Sequence, residues 1–141
     1  MRQPVTGTFH RETDMIINSI NKIENTERDV AWGNGQSRRL LLASDNMGYS
    51  LTDTIIDEGT ASLLEYRNHL EACYCIEGEG EVIDQTTGET HKIVPGTMYA
   101  LDKHEKHILK ADKTMRLVCV FNPPLKGQEA HKLGGADSSA Y

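Results

Sequence analysis

Short β-prone runs separated by turn residues fill most of this chain, and they limit the possible folds more than any other feature. The runs are rich in β-branched, aromatic and leucine residues. They are RRLLLAS (38–44), YSLTDTII (49–56), EACYCIE (71–77), GEVID (80–84), HKIV (91–94), TMYALD (97–102), HILKA (107–111) and RLVCVF (116–121). Turns are expected between them, including ADKT (111–114). Many short strands at close spacing predict a small all-β fold, an antiparallel sandwich or barrel.

The N-terminal region is the exception to this pattern. Only residues 16–28 show helical spacing, with isoleucines about one turn apart, so one short helix is expected there. A chain of 141 residues is long enough for one domain. We expect an N-terminal extension over 1–14, a barrel over 15–124 and a polar C-terminal tail over 125–141. The tail is either without fixed structure or a flap over an active site.

Charge and cysteine content exclude several classes of function. The net charge of −6 argues against nucleic acid or an anionic membrane as partner. Residues 1–14 have no apolar core of the kind found in signal peptides, and no apolar run approaches membrane-spanning length. Three cysteines without a CxxC pair indicate neither a disulfide framework nor a zinc knuckle. A cytoplasmic protein is therefore expected, with Cys73 and Cys75 as plain core residues.

The segment 59–78 has the spacing of the first motif of the cupin family, G-x5-H-x-H-x3-E-x6-G, without its two histidines. Gly59 and Gly78 bound the motif and Glu71 stands at its glutamate. Glu65 and Arg67 stand at the histidine positions. Because an arginine stays protonated and has no lone pair to give, it cannot replace a histidine as a metal ligand. The motif predicts a cupin-type barrel, and any metal must use other side chains.

A second cupin motif places Tyr99 where a histidine is usual, so Glu71 and Tyr99 are expected to face the barrel interior. His107 lies eight residues further on, and an even separation returns it to the same face if the two segments pair as a hairpin. A carboxylate, a phenol and an imidazole would form an open three-ligand site like those of non-haem iron. Alternatively, Tyr99 is a core residue and His107 a solvated turn residue.

Four long blocks resemble the ectoine synthase family. They are SRRLLLASDNMGYS, YRNHLEACYCIEGEGEV, PGTMYALDKHEKHILKA and MRLVCVFNPPLKGQEAH, and the resemblance extends from about Met15 to His131. It implies a homodimeric cupin lyase that forms the osmolyte (compatible solute) ectoine from N-γ-acetyl-L-2,4-diaminobutyrate with loss of water. It also implies Glu71, Tyr99 and His107 as metal ligands. Fe²⁺ is expected in preference to zinc or another divalent metal.

The same resemblance assigns further side chains to the substrate pocket. Substrate-binding roles fall on Arg39, Thr54, Cys119 and Phe121, and catalytic proton-transfer roles fall on Tyr66, His69, Glu129 and His131. Plain structural roles stay open beside these. Cys119 and Phe121 would then be core residues, and Arg39 would lie on a solvated face.

Two departures from the family pattern bear on specificity. Gly35 replaces a family tryptophan, and the flexible segment 33–35 is expected to let Trp32 swing into the pocket and bind substrate instead. Glu65 replaces a ring side chain, and it either alters the charge preference or pairs with Arg67. Three alternatives to ectoine formation therefore stay open. These are a shifted or reversed reaction on a related cyclic amidine, a non-catalytic binder of small molecules, and a non-haem iron oxygenase.

Overall fold

The computed structural model describes residues 14–130, and β-strands dominate this part of the chain. The strands are β1 (Asp29–Ala31), β2 (Gly35–Leu41), β3 (Ser50–Ile56), β4 (Ala61–Leu64), β5 (Leu70–Asp84), β6 (Thr90–Ile93), β7 (Met98–Leu101) and β8 (His107–Asn122). A four-residue helix, α1 (Ile20–Ile23), precedes them, and a 3-10 turn (Ala43–Asp45) follows β2. The all-β prediction is confirmed. Within residues 14–130 no helix is long and apolar enough to cross a membrane.

Two long strands, β5 and β8, build both layers of the barrel. The first half of β5 pairs with the second half of β8, and the second half of β5 pairs with the first half of β8. Strands β1, β2, β3 and β7 extend the first of these pairings, which we call the first layer. Strands β4 and β6 extend the other pairing, which we call the second layer. Buried side chains from both layers contact one hydrophobic core.

The sequence predicted two strands where the structure has one, both in β5 and in β8. The turn predicted at 111–114 is wrong, because these residues continue β8 opposite the glycine-rich part of β5. A side chain at Gly78 would place its Cβ 2.1 Å from the Thr114 oxygen, and one at Gly80 would place it 2.0 Å from the Lys110 oxygen. These glycines allow the two backbones to approach closely where the strands bend from one layer to the other.

The helix is much shorter than residues 16–28. The Ser19 side chain accepts a hydrogen bond from the Lys22 backbone, as an N-cap does. Asn25 then adopts a left-handed conformation (φ 62°), which ends the helix. Only Ile23 among the four helical residues is buried, so a longer helix would gain little by packing. The sequence also failed to predict β1 and β4, which are short.

Candidate metal centre

Strand pairing aligns a row of side chains across the interior of the first layer, all of them buried except Tyr99, which is partly buried. From β2 to β7 the row contains the paired residues Arg39, Thr52, Cys119, Cys73 and Tyr99. Directly opposed residues on adjacent strands point to the same side of a sheet, so these five share the inner face. A polar inner face is unusual, since arginine is rarely buried in a protein core without a partner. This row marks the functional side of the layer.

Glu71 lies beside this row with its carboxyl group almost fully enclosed. Glu71 is 5% exposed, and its Oε1 atom has no hydrogen-bond partner among residues 14–130. Burial raises the pKa of Glu71 to about 8, and polar contact with the thiols of Cys73 and Cys119 offsets only part of that rise. A buried carboxyl group is kept ionised when a cation binds beside it. Glu71 therefore has the character of a metal ligand.

His107 begins β8 in the second layer and is 1% exposed. Its Nδ1 lies 2.8 Å from the Glu105 carbonyl oxygen. Because a carbonyl oxygen only accepts, Nδ1 carries the proton and Nε2 keeps a free lone pair. Nε2 is buried without a hydrogen-bond partner in the described part of the chain, and burial lowers the pKa of the imidazole. A neutral histidine oriented by a backbone carbonyl has the form of a metal ligand.

Tyr99 lies between these two groups. Its backbone pairs with Cys73 on β5, and its ring centroid is 6.5 Å from that of His107. Burial raises the pKa of the phenol well above its usual value, and the neighbouring Cys73 and Glu71 raise it further. A phenol with a raised pKa loses its proton only when a cation stabilises the phenolate. Tyr99 thus completes a set of oxygen and nitrogen donors.

The structure brings His107 to the interior by a different route from the predicted one. Within residues 14–130, β7 pairs with β5, and the start of β8 pairs with β4 and β5. The expected hairpin between the segments around Tyr99 and His107 is therefore wrong. His107 reaches the site because the second layer faces the first. The alternative of a solvated His107 is also wrong, since the side chain is buried.

Two cavities meet at Tyr99. One has a volume of about 20 Å³, and its wall includes Glu71, Cys73, Tyr99 and Cys119. That volume holds about one water-sized body, such as a water molecule or an ion. The other is open and larger, about 600 Å³, and is lined by Tyr99 and His107 among others. Glu71 lines the small cavity, His107 lines the larger one and Tyr99 lines both, so Tyr99 connects the two candidate donors.

Aromatic side chains surround the donors. Tyr66 is buried, with its ring centroid 5.5 Å from His107 and 5.6 Å from Phe121. His69 packs edge-on against Phe121, and its Nδ1 lies 2.6 Å from the Pro123 carbonyl oxygen. Phe121 and Cys119 are core residues that also line the small cavity, so their core role is confirmed and their substrate-binding role stays a prediction. The structure thus brings the predicted residues Tyr66, His69 and Phe121 together.

Arg39 is fully buried, so the alternative of a solvated arginine is wrong. Its Nε donates to Ser37 Oγ at 3.1 Å, and an Nη donates to the backbone carbonyl oxygen of Glu129. The Glu129 carboxylate also lies 3.7 Å from the guanidinium. This carboxylate accepts hydrogen bonds from the backbone nitrogens of Lys126 and Gly127. The tail therefore contacts the interior at Arg39, whereas His131 lies outside the described residues.

Burial raises the pKa of Glu129, but two other effects outweigh burial, so the pKa is below its usual value. These are the positive charge of Arg39 and hydrogen bonds from the backbone N–H groups of Lys126, Gly127 and Glu129 itself. Glu129 is thus ionised near neutral pH, and its carboxylate is a weak base as long as it keeps these contacts. Thr54, which was assigned to substrate binding, lines the small cavity, and its hydroxyl lies 3.0 Å from that of Thr52. Ser37 and Thr52 are interior residues to which the sequence assigned no role, and the prediction of Cys73 and Cys75 as core residues is confirmed. The period of two along the strands through Arg39 and Thr54 was the signal for Ser37 and Thr52.

Trp32 lies in the interior, which is a condition for the predicted contact between its ring and the substrate. It is 3% exposed, lines the small cavity and donates from Nε1 to the Ile55 carbonyl oxygen at 3.0 Å. A side chain at Gly35 would put its Cβ 1.8 Å from that same oxygen and 3.0 Å from Trp32 Nε1. Glycine at 35 therefore makes room for Trp32. Glu65 and Arg67 form an ion pair at 3.5 Å with partly exposed side chains, apart from the donors.

A two-layer antiparallel barrel with enclosed donors between its layers defines a cupin-type protein. The family model described as ectoine synthase matches residues 15–140. The L-ectoine synthase of Desulfatibacillum aliphaticivorans is 54% identical over 124 residues, covering 86% of this chain and 95% of that protein. That of Oceanobacillus iheyensis is 51% identical over 121 residues, covering 86% and 94%. The chain belongs to the ectoine synthase family.

Solved structures agree with this assignment. The crystal structure of ectoine synthase from P. lautus superposes with a TM-score of 0.77 at 56% identity, covering 80% of this chain and 81% of that one. KdgF from Halomonas sp. superposes with a TM-score of 0.55 at 18% identity, covering 64% of this chain and 82% of that one, and so shares the fold alone. The protein is an enzyme, a lyase of ectoine biosynthesis with a cupin fold.

Proposed function

We propose that this protein catalyses the ring closure of N-γ-acetyl-L-2,4-diaminobutyrate to ectoine at a divalent iron held by Glu71, Tyr99 and His107. The observation that carries the metal site is a pair of buried atoms without hydrogen-bond partners in residues 14–130, Glu71 Oε1 and His107 Nε2. An unsatisfied buried polar atom is costly unless something binds to it. A cation between the two layers would satisfy both atoms.

The reaction is an intramolecular condensation. The α-amine attacks the acetamide carbonyl carbon, a six-membered ring closes, and the carbonyl oxygen leaves as water with two protons from the amine nitrogen. Amide carbonyls are poor electrophiles, and bound Fe²⁺ would supply a Lewis acid that polarises this oxygen. The protein must hold the amine and the carbonyl within reach of each other, because positioning alone lowers such a barrier substantially.

Arg39 is the residue we assign to the substrate carboxylate. Its guanidinium is held rigidly by Ser37 and points into the interior at one end of the polar row. A planar guanidinium can bind a carboxylate through two parallel hydrogen bonds. At present the tail residue Glu129 contacts this group with its own carbonyl and carboxylate. Substrate binding would therefore displace or rearrange residues 126–130.

Proton transfer falls to residues that surround the cavity. Glu129 is ionised and adjoins Arg39, so it is placed to accept a proton from the substrate amine. The imidazole of His69 and the phenol of Tyr66 lie against Phe121 on the other side, where they can return a proton to the leaving oxygen. Trp32 and Phe121 supply aromatic surface for a cationic substrate or product.

Product analysis tests the proposal. Purified protein loaded with Fe²⁺ and given N-γ-acetyl-L-2,4-diaminobutyrate without oxygen should release ectoine, which NMR identifies directly. Each alternative has its own outcome. Conversion only of a related cyclic amidine would indicate shifted specificity, binding without turnover in metal-free protein would indicate a non-catalytic binder, and strict dependence on O₂ would indicate an oxygenase. Activity with zinc and none with iron would correct the metal.

We also propose that the protein is a homodimer through the outer face of the first layer. Tyr74, Met98 and Val120 lie on this face and are 48%, 59% and 38% exposed. Paired strands bring them together, since Tyr74 pairs with Met98 and Val120 pairs with Ala72. Contiguous exposed apolar patches mark interaction surfaces. A second copy of the chain is the partner the family resemblance favours.

The dimer proposal is tested by sedimentation. Val120→Asp should convert a dimer to a monomer while leaving bound iron unchanged, because a charge at the centre of an apolar interface is left without a partner. Lys92→Glu on exposed β6 is the matched control and should remain dimeric. A parent that sediments as a monomer would contradict the proposal. We place the enzyme in the cytoplasm, where the free thiols of all three cysteines would stay reduced.

A further inference from the structure

We propose that Cys73, Cys119 and Glu71 form a second metal site, selective for a thiophilic ion such as Zn²⁺ or Cd²⁺. The site shares Glu71 with the proposed iron centre, so a thiophilic ion bound there would prevent iron from binding. Only this competition rests on the proposed function. The thiol site itself rests on the positions of three side chains.

Strand register brings the two thiols together. Cys73 on β5 pairs directly with Cys119 on β8, and their Sγ atoms are 3.4 Å apart. Both sulfurs and a carboxylate oxygen of Glu71 lie within 4.8 Å of one another, and all three residues are buried. In a tetrahedral zinc site with Zn–S bonds of about 2.3 Å, two sulfurs are about 3.8 Å apart. A shift of a few tenths of an ångström in each thiol would therefore suffice.

The donor types point to a soft cation. Thiolate ligands favour Zn²⁺, Cd²⁺ or Cu⁺, whereas carboxylate, phenol and imidazole favour harder ions. Each thiol would lose one proton to solvent as the ion binds, and no oxidation would take place. Two sulfurs and one oxygen leave the fourth tetrahedral position to water. The carboxylate oxygen of Glu71 that lies near both sulfurs is the third donor the ion requires.

The third cysteine provides a matched control. Cys75 lies two residues beyond Cys73 on the same strand and is also fully buried. Its thiol donates to the Glu77 carbonyl oxygen at 3.3 Å, and it does not belong to the cluster of donors. A substitution of Cys75 therefore removes a buried thiol of the same strand without touching the proposed site.

Cd²⁺ is the probe, because thiolate bound to Cd²⁺ absorbs in the ultraviolet. Full-length protein freed of metal by a chelator should bind one Cd²⁺ with this charge-transfer absorption. Cys73→Ser and Cys119→Ser should each lose about half of it, since one of two thiolates remains, and the double variant should lose all of it. Cys75→Ser should match the parent. Tyr99→Phe and His107→Asn should keep the absorption, because neither residue belongs to the thiol site.

Two results would overturn the proposal. One is a parent that shows no thiolate absorption with Cd²⁺, and the other is absorption that persists in the double cysteine variant. Protein preloaded with Cd²⁺ should also take up no iron by elemental analysis. If Cd²⁺ binds through the thiols but iron still binds in full, the thiol site stands and the overlap with the proposed iron centre fails. If iron never binds, the proposed function fails and the thiol site is still tested by Cd²⁺.

Discussion

The two faces of the first layer each depart from the usual distribution of polar and apolar side chains in a β-sheet. The inner face contributes to the hydrophobic core, but it also buries Arg39, Thr52 and Glu71, of which the first two are fully buried and the last is 5% exposed. The outer face carries Tyr74 and Met98, which are about half exposed. In an ordinary sheet the apolar residues face the core and the polar residues the solvent. The buried polar groups mark the inner face as the candidate site, and the exposed apolar groups mark the outer face as the proposed dimer surface.

Burial of the polar groups on the inner face costs free energy, and hydrogen bonds within the protein offset this cost to different extents. Arg39 has Ser37 and Glu129 as partners, whereas the Glu71 carboxyl group and the His107 imidazole each keep one unsatisfied atom among the described residues. The difference indicates which groups await a ligand. Arg39 is occupied by the protein's own tail, whereas Glu71 and His107 are two of the three residues that we propose as metal ligands.

The largest expected effect follows from removing a donor on the inner side. Glu71→Ala, Tyr99→Ala and His107→Ala should each lower iron affinity and turnover by more than about 100-fold, since even outer-shell partners of a metal change its affinity 10- to 100-fold. Elemental analysis and ectoine formation measure both. Asp112→Ala, on an exposed part of β8 that lines neither cavity, is the control and should retain iron and activity. Full iron content in the Glu71 variant would remove this residue from the site.

The tail contact with the inner face should affect catalysis and not metal binding. Glu129→Gln keeps the backbone contact with Arg39 but removes the carboxylate, and turnover should fall by roughly 100-fold or more if this group accepts the substrate proton. Deletion of residues 126–141 should lower turnover further and leave iron in place. Gln128→Ala, an exposed neighbour, is the control. Undiminished turnover in both tail variants would show that the tail only covers Arg39.

Trp32 tests the aromatic part of the inner side. Trp32→Ala should weaken ligand binding by about 2- to 30-fold, the range of a cation–π contact, without loss of iron. It should also destabilise the fold by about 3–5 kcal/mol, because a large buried ring is removed. Trp32→Phe separates the two effects, since it keeps a ring and loses the hydrogen bond to Ile55. Gly35→Trp cannot serve as a rescue, because its Cβ would collide with the Ile55 oxygen.

Binding measured calorimetrically on the iron-loaded variants decides the role of the ring. Equal ligand affinity in Trp32→Ala and the parent would mean that Trp32 only fills space. The identity of the substrate would then depend more heavily on Arg39 and the metal. It would also favour the alternative of a shifted specificity over ectoine itself.

The smallest expected effect concerns Asp53, a buried carboxylate on the outer face. Asp53 accepts hydrogen bonds from Arg38 at 2.6 Å and from Arg116 at 2.7 Å. Burial raises its pKa, but these two arginines outweigh burial and leave the pKa below the usual 3.8. A lowered pKa means that the stabilisation is present above the unfolded-state value and is lost as pH falls through the folded-state value.

Asp53→Asn should therefore lower the free energy of unfolding by about 1–3 kcal/mol at neutral pH, the range for hydrogen bonds to charged groups. The difference between variant and parent should shrink as the pH falls below 3.8. Urea denaturation at several pH values measures it. Asp112→Asn on an exposed part of β8 is the control. A difference that is independent of pH would show that the arginines do not hold the carboxylate ionised.

Sequence reasoning worked where a period of two decides orientation. Glu71 and Tyr99 are on strands that pair with each other, so their spacing within the cupin motifs placed both on the inner side. It failed where contacts distant in sequence decide. The continuation of β8 through residues 111–114 depends on the close approach of Gly78 and Gly80, and the position of His107 depends on how the second layer faces the first. Neither relation leaves a local pattern in the chain.

The helix shows a third kind of failure. Isoleucine spacing over residues 16–28 predicted several turns, but only Ile23 packs into the interior. Periodicity signals an amphipathic helix only where the protein offers a surface to cover its apolar side. The buried polar row had a sequence signal that was overlooked at Thr52, which lies two residues from Thr54 on the same strand and so shares its face.

X-ray absorption at the iron edge of the iron-loaded parent tests the central claim most directly, because it identifies the atoms that bind the metal. If Glu71, Tyr99 and His107 bind the iron, its nearest neighbours should be oxygen and nitrogen atoms only. The spectrum should also show the scattering pattern of one imidazole. Sulfur among the nearest neighbours would place iron at Cys73 and Cys119. Oxygen neighbours without imidazole would remove His107. Either result would contradict the account of how the two layers build this centre.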